Sequence, residues 1–254
     1  MVIIKTMTMV LKYWIYFHLR TTLFSTTLLS SPDATPILRD VVESFLHYPV
    51  TKVEVKNVEL PILDISEKRE RFDVNCTVND GAQFEVEMQS EAMTGDSAIT
   101  NHLNIKSRAI YYLCDLHSSQ SGRGISYDKL MRSFQVTICG YTVFPERNDF
   151  ISRFSFRDEN GEELTDSVGI ILIELTKLTD IIAKPVEAMT GEELWSLFFA
   201  YGGDPKYSEL LNKMIAVRSE IKWQMNCFER LAQMRTNVPA FVHAANSRWI
   251  CSIT

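Results

Sequence analysis

The 254-residue chain has no Cys-x-x-Cys pair, no apolar run long enough to cross a membrane, no excess of basic charge and no internal repeat. Each absence removes a class. The five cysteines, Cys76, Cys114, Cys139, Cys227 and Cys251, are odd in number and widely spread, which suits reduced core thiols in a cytoplasmic protein. Cys114, His117 and His102 lack a fourth ligand and give a poor zinc signal. In the first thirty residues Lys12, His18 and Arg20 interrupt the apolar stretch before it reaches the roughly 18 to 20 residues of a membrane span, so no membrane partner is expected. Arg20 also breaks the apolar core that a secretory signal would need, and no clear small-residue cleavage site follows. The formal charge of −6 argues against a surface coated in basic residues and leaves nucleic-acid contact to a local groove. A hydrophobic content of 46% is ample for a packed core.

The densest pattern lies in Arg71 to Gln89, RFDVNCTVNDGAQFEVEMQ. Phe72, Val74, Cys76 and Val78 alternate with Asp73, Asn75 and Thr77; beyond Asn79-Asp80-Gly81, Ala82, Phe84, Val86 and Met88 alternate with Gln83, Glu85, Glu87 and Gln89. A strict period of two on both sides of a turn is a β-hairpin. A two-residue loop would set polar side chains beside apolar ones, whereas a three-residue loop centred on Asp80 keeps both faces consistent, with Gly81 in the left-handed region. Val78 then pairs with Ala82, Val74 with Val86, and Asp73 falls opposite Glu87. Carboxylates so placed, with β-carbons roughly 4.5 to 5.5 Å apart, destabilise a sheet unless a cation, a proton or a basic side chain lies between them. A divalent, oxygen-seeking cation is the natural occupant. The same alternation also suits a charged face turned to water.

Around the hairpin, helical spacing over Pro36 to His47 gives an amphipathic helix, and Lys52 to Leu60 alternates as a first strand. A polar loop with Lys68 and Arg69 leads into the hairpin. Asp96 to Ser118, free of glycine and proline, reads as a long helix with Ile105, Ala109, Tyr112 and Leu116 on one row and Ile99, Leu103, Ile110 and Leu113 beside it. Phe134 to Val143 is apolar on both faces, as in a central strand, with Gly140 marking a bulge. Ser152 to Phe156 and Val168 to Leu175 are further strands joined through Asp158-Glu159-Asn160-Gly161, after which Gly191 opens a helix and Pro205 introduces another running to about Met234.

The order helix, three-stranded meander, helix, strand, with an Asp on the second strand and Glu87-x-Gln89 on the third, resembles the α/β PD-(D/E)XK restriction-endonuclease-like core. More closely it resembles the transposase-associated, recombination-promoting nuclease branch of that superfamily. The carrying segments are RFDV (Arg71 to Val74), FEVEMQ (Phe84 to Gln89), KSRAIYYL (Lys106 to Leu113), GISYDKL (Gly124 to Leu130) and IELTKL (Ile173 to Leu178), and the likeness covers about Ser31 to Arg235. It implies a nuclease-like domain over 31–183 and a helical C-terminal extension over 184–235. It also implies a metal-dependent DNA endonuclease that hydrolyses phosphodiester bonds with low sequence specificity. Asp73 and Glu87 would be the metal-binding carboxylates, Gln89 stands where the founding pattern has lysine, and Mg²⁺ or Mn²⁺ is the implied ion. Arg71, opposite Gln89 in this register, and Arg108 are the candidate DNA-contacting cations, while Tyr112 suits core packing. Glu43 on the first helix and Glu85 on the hairpin are further acidic candidates; an exposed helical glutamate is the simpler reading of Glu43. DNA is the implied partner, and a homodimer is compatible with the family.

Residues 1–30 lack the Phe-Lys pair that usually opens the family's first helix, and residues 236–254 lose the charged helical continuation. The expectation is a mobile-element reading frame altered at both ends around intact catalytic strands. The alternative function is a catalytically impaired remnant acting as a DNA- or protein-binding module.

Overall fold

Ile37, Leu38, Val41, Val42 and Phe45 recur at steps of three and four and are all buried, which makes Thr35–Leu46 an amphipathic helix, α1. The computed structural model describes residues 35–47, 49–58, 73–79, 81–89, 96–122, 124–202 and 204–221. After α1 come β1 (Val53–Val58), β2 (Asp73–Val78), β3 (Ala82–Gln89), the long helix α2 (Asp96–Ser118), β4 (Ser133–Cys139), β5 (Ile151–Arg157) and β6 (Glu163–Glu174). Among the described residues α3 (Thr179–Ile182), α4 (Gly191–Tyr201) and α5 (Ser208–Val217) then follow. The six strands form one mixed sheet in the order β1-β2-β3-β4-β6-β5. The central strand β4 runs parallel to both neighbours, and the remaining pairs are antiparallel.

The hairpin adopts the register that parity requires, with Val78 opposite Ala82, Val74 opposite Val86 and Asp73 opposite Glu87. Gly81, at φ +112°, closes the loop by donating its N–H to the Val78 carbonyl at 2.9 Å, a backbone conformation that glycine adopts without a Cβ penalty. Asn79, at φ 47°, ties the loop to the segment leading into β1: its side-chain oxygen accepts from the Thr51 N–H at 2.7 Å and its amide donates to the Pro49 carbonyl at 2.9 Å.

The apolar side of the sheet carries Val74, Cys76, Phe84, Val86, Val136, Ile138, Ile171 and Ile173, and α1 and α4 cover it in one continuous core. Helix α4 starts with a full capping box, in which Thr190 and Glu193 satisfy each other's backbone N–H groups. It also contributes Trp195, fully buried against Phe198 and Phe199, with its indole N–H donated to Asp40 Oδ2 of α1 at 2.8 Å. Helix α2 lies across the opposite side.

Four sequence expectations need correction. The central strand ends at Cys139 and Gly140 follows it as a bend, not as a bulge inside it; the Gly140 N–H donates to the Gln89 carbonyl at 2.7 Å. On α2, Ile110 is 56% exposed and lines an apolar groove of about 290 Å³ with Leu113, Phe154 and Phe156, so the helix's second row is not uniformly covered. The helix introduced by Pro205 is interrupted after Val217, because Arg218 takes an extended conformation, and helical conformation resumes over 219–221. The Arg218 guanidinium grips Asp40 through Nε and Nη2 at 2.7 and 2.6 Å and reaches Ser44 Oγ, a tertiary gain that overrides helix propensity. Finally, Cys114 is exposed, whereas Cys76 and Cys139 are buried free thiols.

Arg71, Asp80, the Lys68–Arg69 loop, the segments 1–30 and 236–254, and the expected helix beyond Ile221 lie outside the described residues, as do the side chains of Asp73 and His102. Among the described residues, no helix is long and apolar enough to cross a membrane.

Candidate metal centre

The polar positions of the hairpin face α2. Gln83, Glu85 and Glu87 are 7%, 8% and 0% exposed, so this face is a buried polar layer and not a solvated one. Strand register extends the layer sideways. Asn75, Glu85 and Gln135 stand in one row; Asp73, Glu87, Thr137 and Leu172 form the next; and Gln89, Cys139 and Glu174 the last. Because β3, β4 and β6 are parallel, the last two rows lie at the carboxyl ends of three strands, where open α/β sheets commonly form their binding crevices.

Glu87 is the centre of this arrangement. Its Oε1 forms an ion pair with Arg108 Nη2 from α2 and accepts a hydrogen bond from Gln89 Nε2 at 2.6 Å. The structure therefore brings Glu87, Gln89 and Arg108 into contact and sets the Asp73 backbone directly opposite Glu87. Arg108 is one-third exposed, and its guanidinium carbon lies 5.3 Å from the centre of the Tyr112 ring one turn along, which is itself buried as the sequence implies. Glu85 shares the polar layer, two residue pairs along the hairpin from Glu87. Glu43 is elsewhere: α1 packs on the apolar side of the sheet, and the Glu43 carboxylate accepts from the Val50 N–H at 3.3 Å. That is the role of an ordinary surface glutamate.

Helix α2 is held over the layer by polar contacts farther along. His117 Nδ1 meets Ser133 Oγ at 3.0 Å, and Gln120 donates to both Ser133 Oγ and the Met131 carbonyl. One amide orientation of Gln83 satisfies both of its ends, donating to the Leu116 carbonyl and accepting from Lys56 Nζ.

Three residues near the centre escape the sequence reading. Thr137 is fully buried beside Glu87 in the strand register, and its hydroxyl has no hydrogen-bond partner among the described residues. Cys139 and Tyr141 are linked by a hydrogen bond, and both lie within electrostatic reach of Glu87. Burial first, then the Glu174 and Glu87 carboxylates, push the Cys139 thiol far up, while the Tyr141 contact pulls slightly the other way. Burial likewise leads the rise at the Tyr141 phenol, reinforced by Cys139 and Glu87 and opposed by Arg108. The available signal was the alternation Gln135, Thr137 against Phe134, Val136, Ile138 within a strand read as apolar on both sides.

The IELTKL segment is structural. Glu174 is fully buried, accepts from the Val143 and Phe144 N–H groups at 2.6 and 3.0 Å, and pairs with Lys177 at 2.8 Å, which fastens the loop following β4.

Oxygen donors dominate the centre: the Glu87 carboxylate, the Gln89 amide and the Thr137 hydroxyl. Such a set fits a hard cation such as Mg²⁺ better than a soft one. Among the described residues no three His, Cys, Asp or Glu side chains gather into a cage.

A family model described as PD-(D/E)XK nuclease family transposase matches residues 24–214. The chain belongs to that family. The match spans all six strands together with Glu87, Gln89 and Arg108, and the mixed α/β sheet is consistent with a PD-(D/E)XK fold. It begins seven residues before Ser31 and ends short of Arg235, so 215–235 fall outside it. No curated protein and no solved structure matches the chain. Membership of the PD-(D/E)XK nuclease transposase family gives the chain a nuclease-like, transposase-associated role.

Proposed function

We propose that the protein is a metal-dependent endodeoxyribonuclease that hydrolyses DNA phosphodiester bonds with little sequence preference, acting in the cytoplasm as part of DNA recombination. The observation that carries this reading is the fully buried Glu87, placed opposite Asp73 on the neighbouring strand and contacted by Gln89 and Arg108. A carboxylate withdrawn completely from water costs several kcal/mol unless its charge is used or compensated, and such sites are concentrated where chemistry is done.

In this reading Asp73 and Glu87 would hold Mg²⁺ or Mn²⁺, which would supply Lewis acidity toward the scissile phosphate and help to activate the attacking water. Gln89 orients the attacking water through its amide; it is neutral and adds no positive charge. Arg108, reaching from the buried carboxylate toward solvent, binds a non-bridging phosphate oxygen as charge builds there. Water adds to phosphorus, one P–O ester bond breaks, and the departing alkoxide takes a proton. Thr137 narrows the floor beside Glu87 and offers one more oxygen to the water shell. Contacts of this kind address phosphate and not base edges, which accounts for low sequence selectivity. The catalytic unit is assigned to 31–183, with the helices of 184–235 as its extension.

Removing the metal provides the test. Supercoiled plasmid incubated with the protein is expected to become nicked in Mg²⁺ or Mn²⁺ and to stay intact in excess EDTA. Equal nicking in both conditions would contradict the reading.

A further inference from the structure

Resting on the proposed metal site, we infer that Arg108 is a built-in counter-ion that occupies the cation's place at Glu87 in the ion-free protein and is displaced toward bound phosphate when a divalent ion arrives. Two observations support an exchangeable pairing over a fixed one. The Arg108 Nε is buried with no hydrogen-bond partner among the described residues, which leaves the guanidinium incompletely satisfied where it is. Its side chain is 33% exposed while Glu87 is fully buried, so the cation already spans from the carboxylate to the surface. The guanidinium carbon already lies 5.3 Å from the Tyr112 ring centre, a contact that does not depend on the carboxylate.

The consequence is a competition. An arriving ion must take a carboxylate oxygen that Arg108 and Gln89 already engage, and it meets a positive charge beside it. Both effects weaken ion binding in the free protein. Once DNA is present, the released guanidinium gains a phosphate partner, so ion and DNA binding favour each other, as linkage between two ligands requires. The effect of Arg108 on ion affinity thus has the opposite sign from that of a scaffold residue.

The test is calorimetric titration of Mn²⁺ alone into the full-length protein and into Arg108→Gln, which keeps a donor for Glu87 and removes the charge. Arg108→Lys serves as the charge-retaining control. Arg108→Gln is expected to bind Mn²⁺ at least about tenfold more tightly than wild type, and Arg108→Lys to stay within about threefold of it. In Ca²⁺, the affinity of Arg108→Gln for a fluorescent DNA duplex is expected to fall. Wild-type binding of Mn²⁺ that is unchanged or weakened in Arg108→Gln overturns the exchange and leaves the metal-site reading standing. Absence of Mn²⁺ binding in all three proteins removes both.

Discussion

Glu87→Gln is expected to lower Mg²⁺-dependent plasmid nicking by about 10³-fold, equivalent to about 4 kcal/mol in the barrier. The substitution preserves shape and leaves a side-chain oxygen to accept from Gln89 and Arg108, so the buried layer keeps its packing. What it removes is the negative charge, the property that attracts a hard cation. Circular dichroism and a thermal melt should show the fold retained. Glu54→Gln serves as the control, because Glu54 is exposed on β1 and pairs with the surface residue Lys52. Loss of a surface pair of that kind is worth little. Comparable nicking by wild type and Glu87→Gln would detach the activity from the buried carboxylate.

Trp195→Ala is expected to destabilise the protein by about 3–5 kcal/mol, measured as a shift of the urea midpoint with an unchanged slope. The indole is fully buried, lies 5.9 Å from the Phe199 ring centre and 5.7 Å from that of Phe198, and donates to Asp40. Alanine leaves a cavity where α4 meets α1 and removes one of the partners that fix Asp40. A loss of this size is a large part of the roughly 5–15 kcal/mol that holds a typical domain together. Trp195→Phe keeps most of the ring but loses the N–H donor, and should cost about 1–2 kcal/mol. If Trp195→Ala costs less than Trp195→Phe, the helices beyond β6 do not share the core described above.

The hairpin was legible to the residue because side-chain direction in a strand has a period of two: a shift of one position would have turned every apolar side chain outward. Its register, the three-residue loop and the positive φ at Gly81 follow from parity and from the scarcity of residues that tolerate such a turn. The long helix Asp96–Ser118 was equally plain, since nothing within it breaks a helix. The burial of the hairpin's polar face was not legible. Alternation gives the same pattern whether the polar side meets water or a second layer, and only the placement of α2 decides it. That placement also creates the Arg108–Glu87 contact, which joins residues 21 apart in sequence through a crossover whose path no local pattern encodes. The break at Arg218 was hidden for a related reason. Arginine is a good helix former, and its partner Asp40 lies 178 residues away.

Calorimetric Mn²⁺ binding by wild type, Asp73→Asn and Glu87→Gln, each at equal concentration, tests the central claim most directly. If the two facing strands clamp one ion between them, wild type binds a single Mn²⁺ per chain and each substitution weakens that binding by at least about tenfold. Wild-type affinity retained in either variant would show that Asp73 and Glu87 do not share an ion.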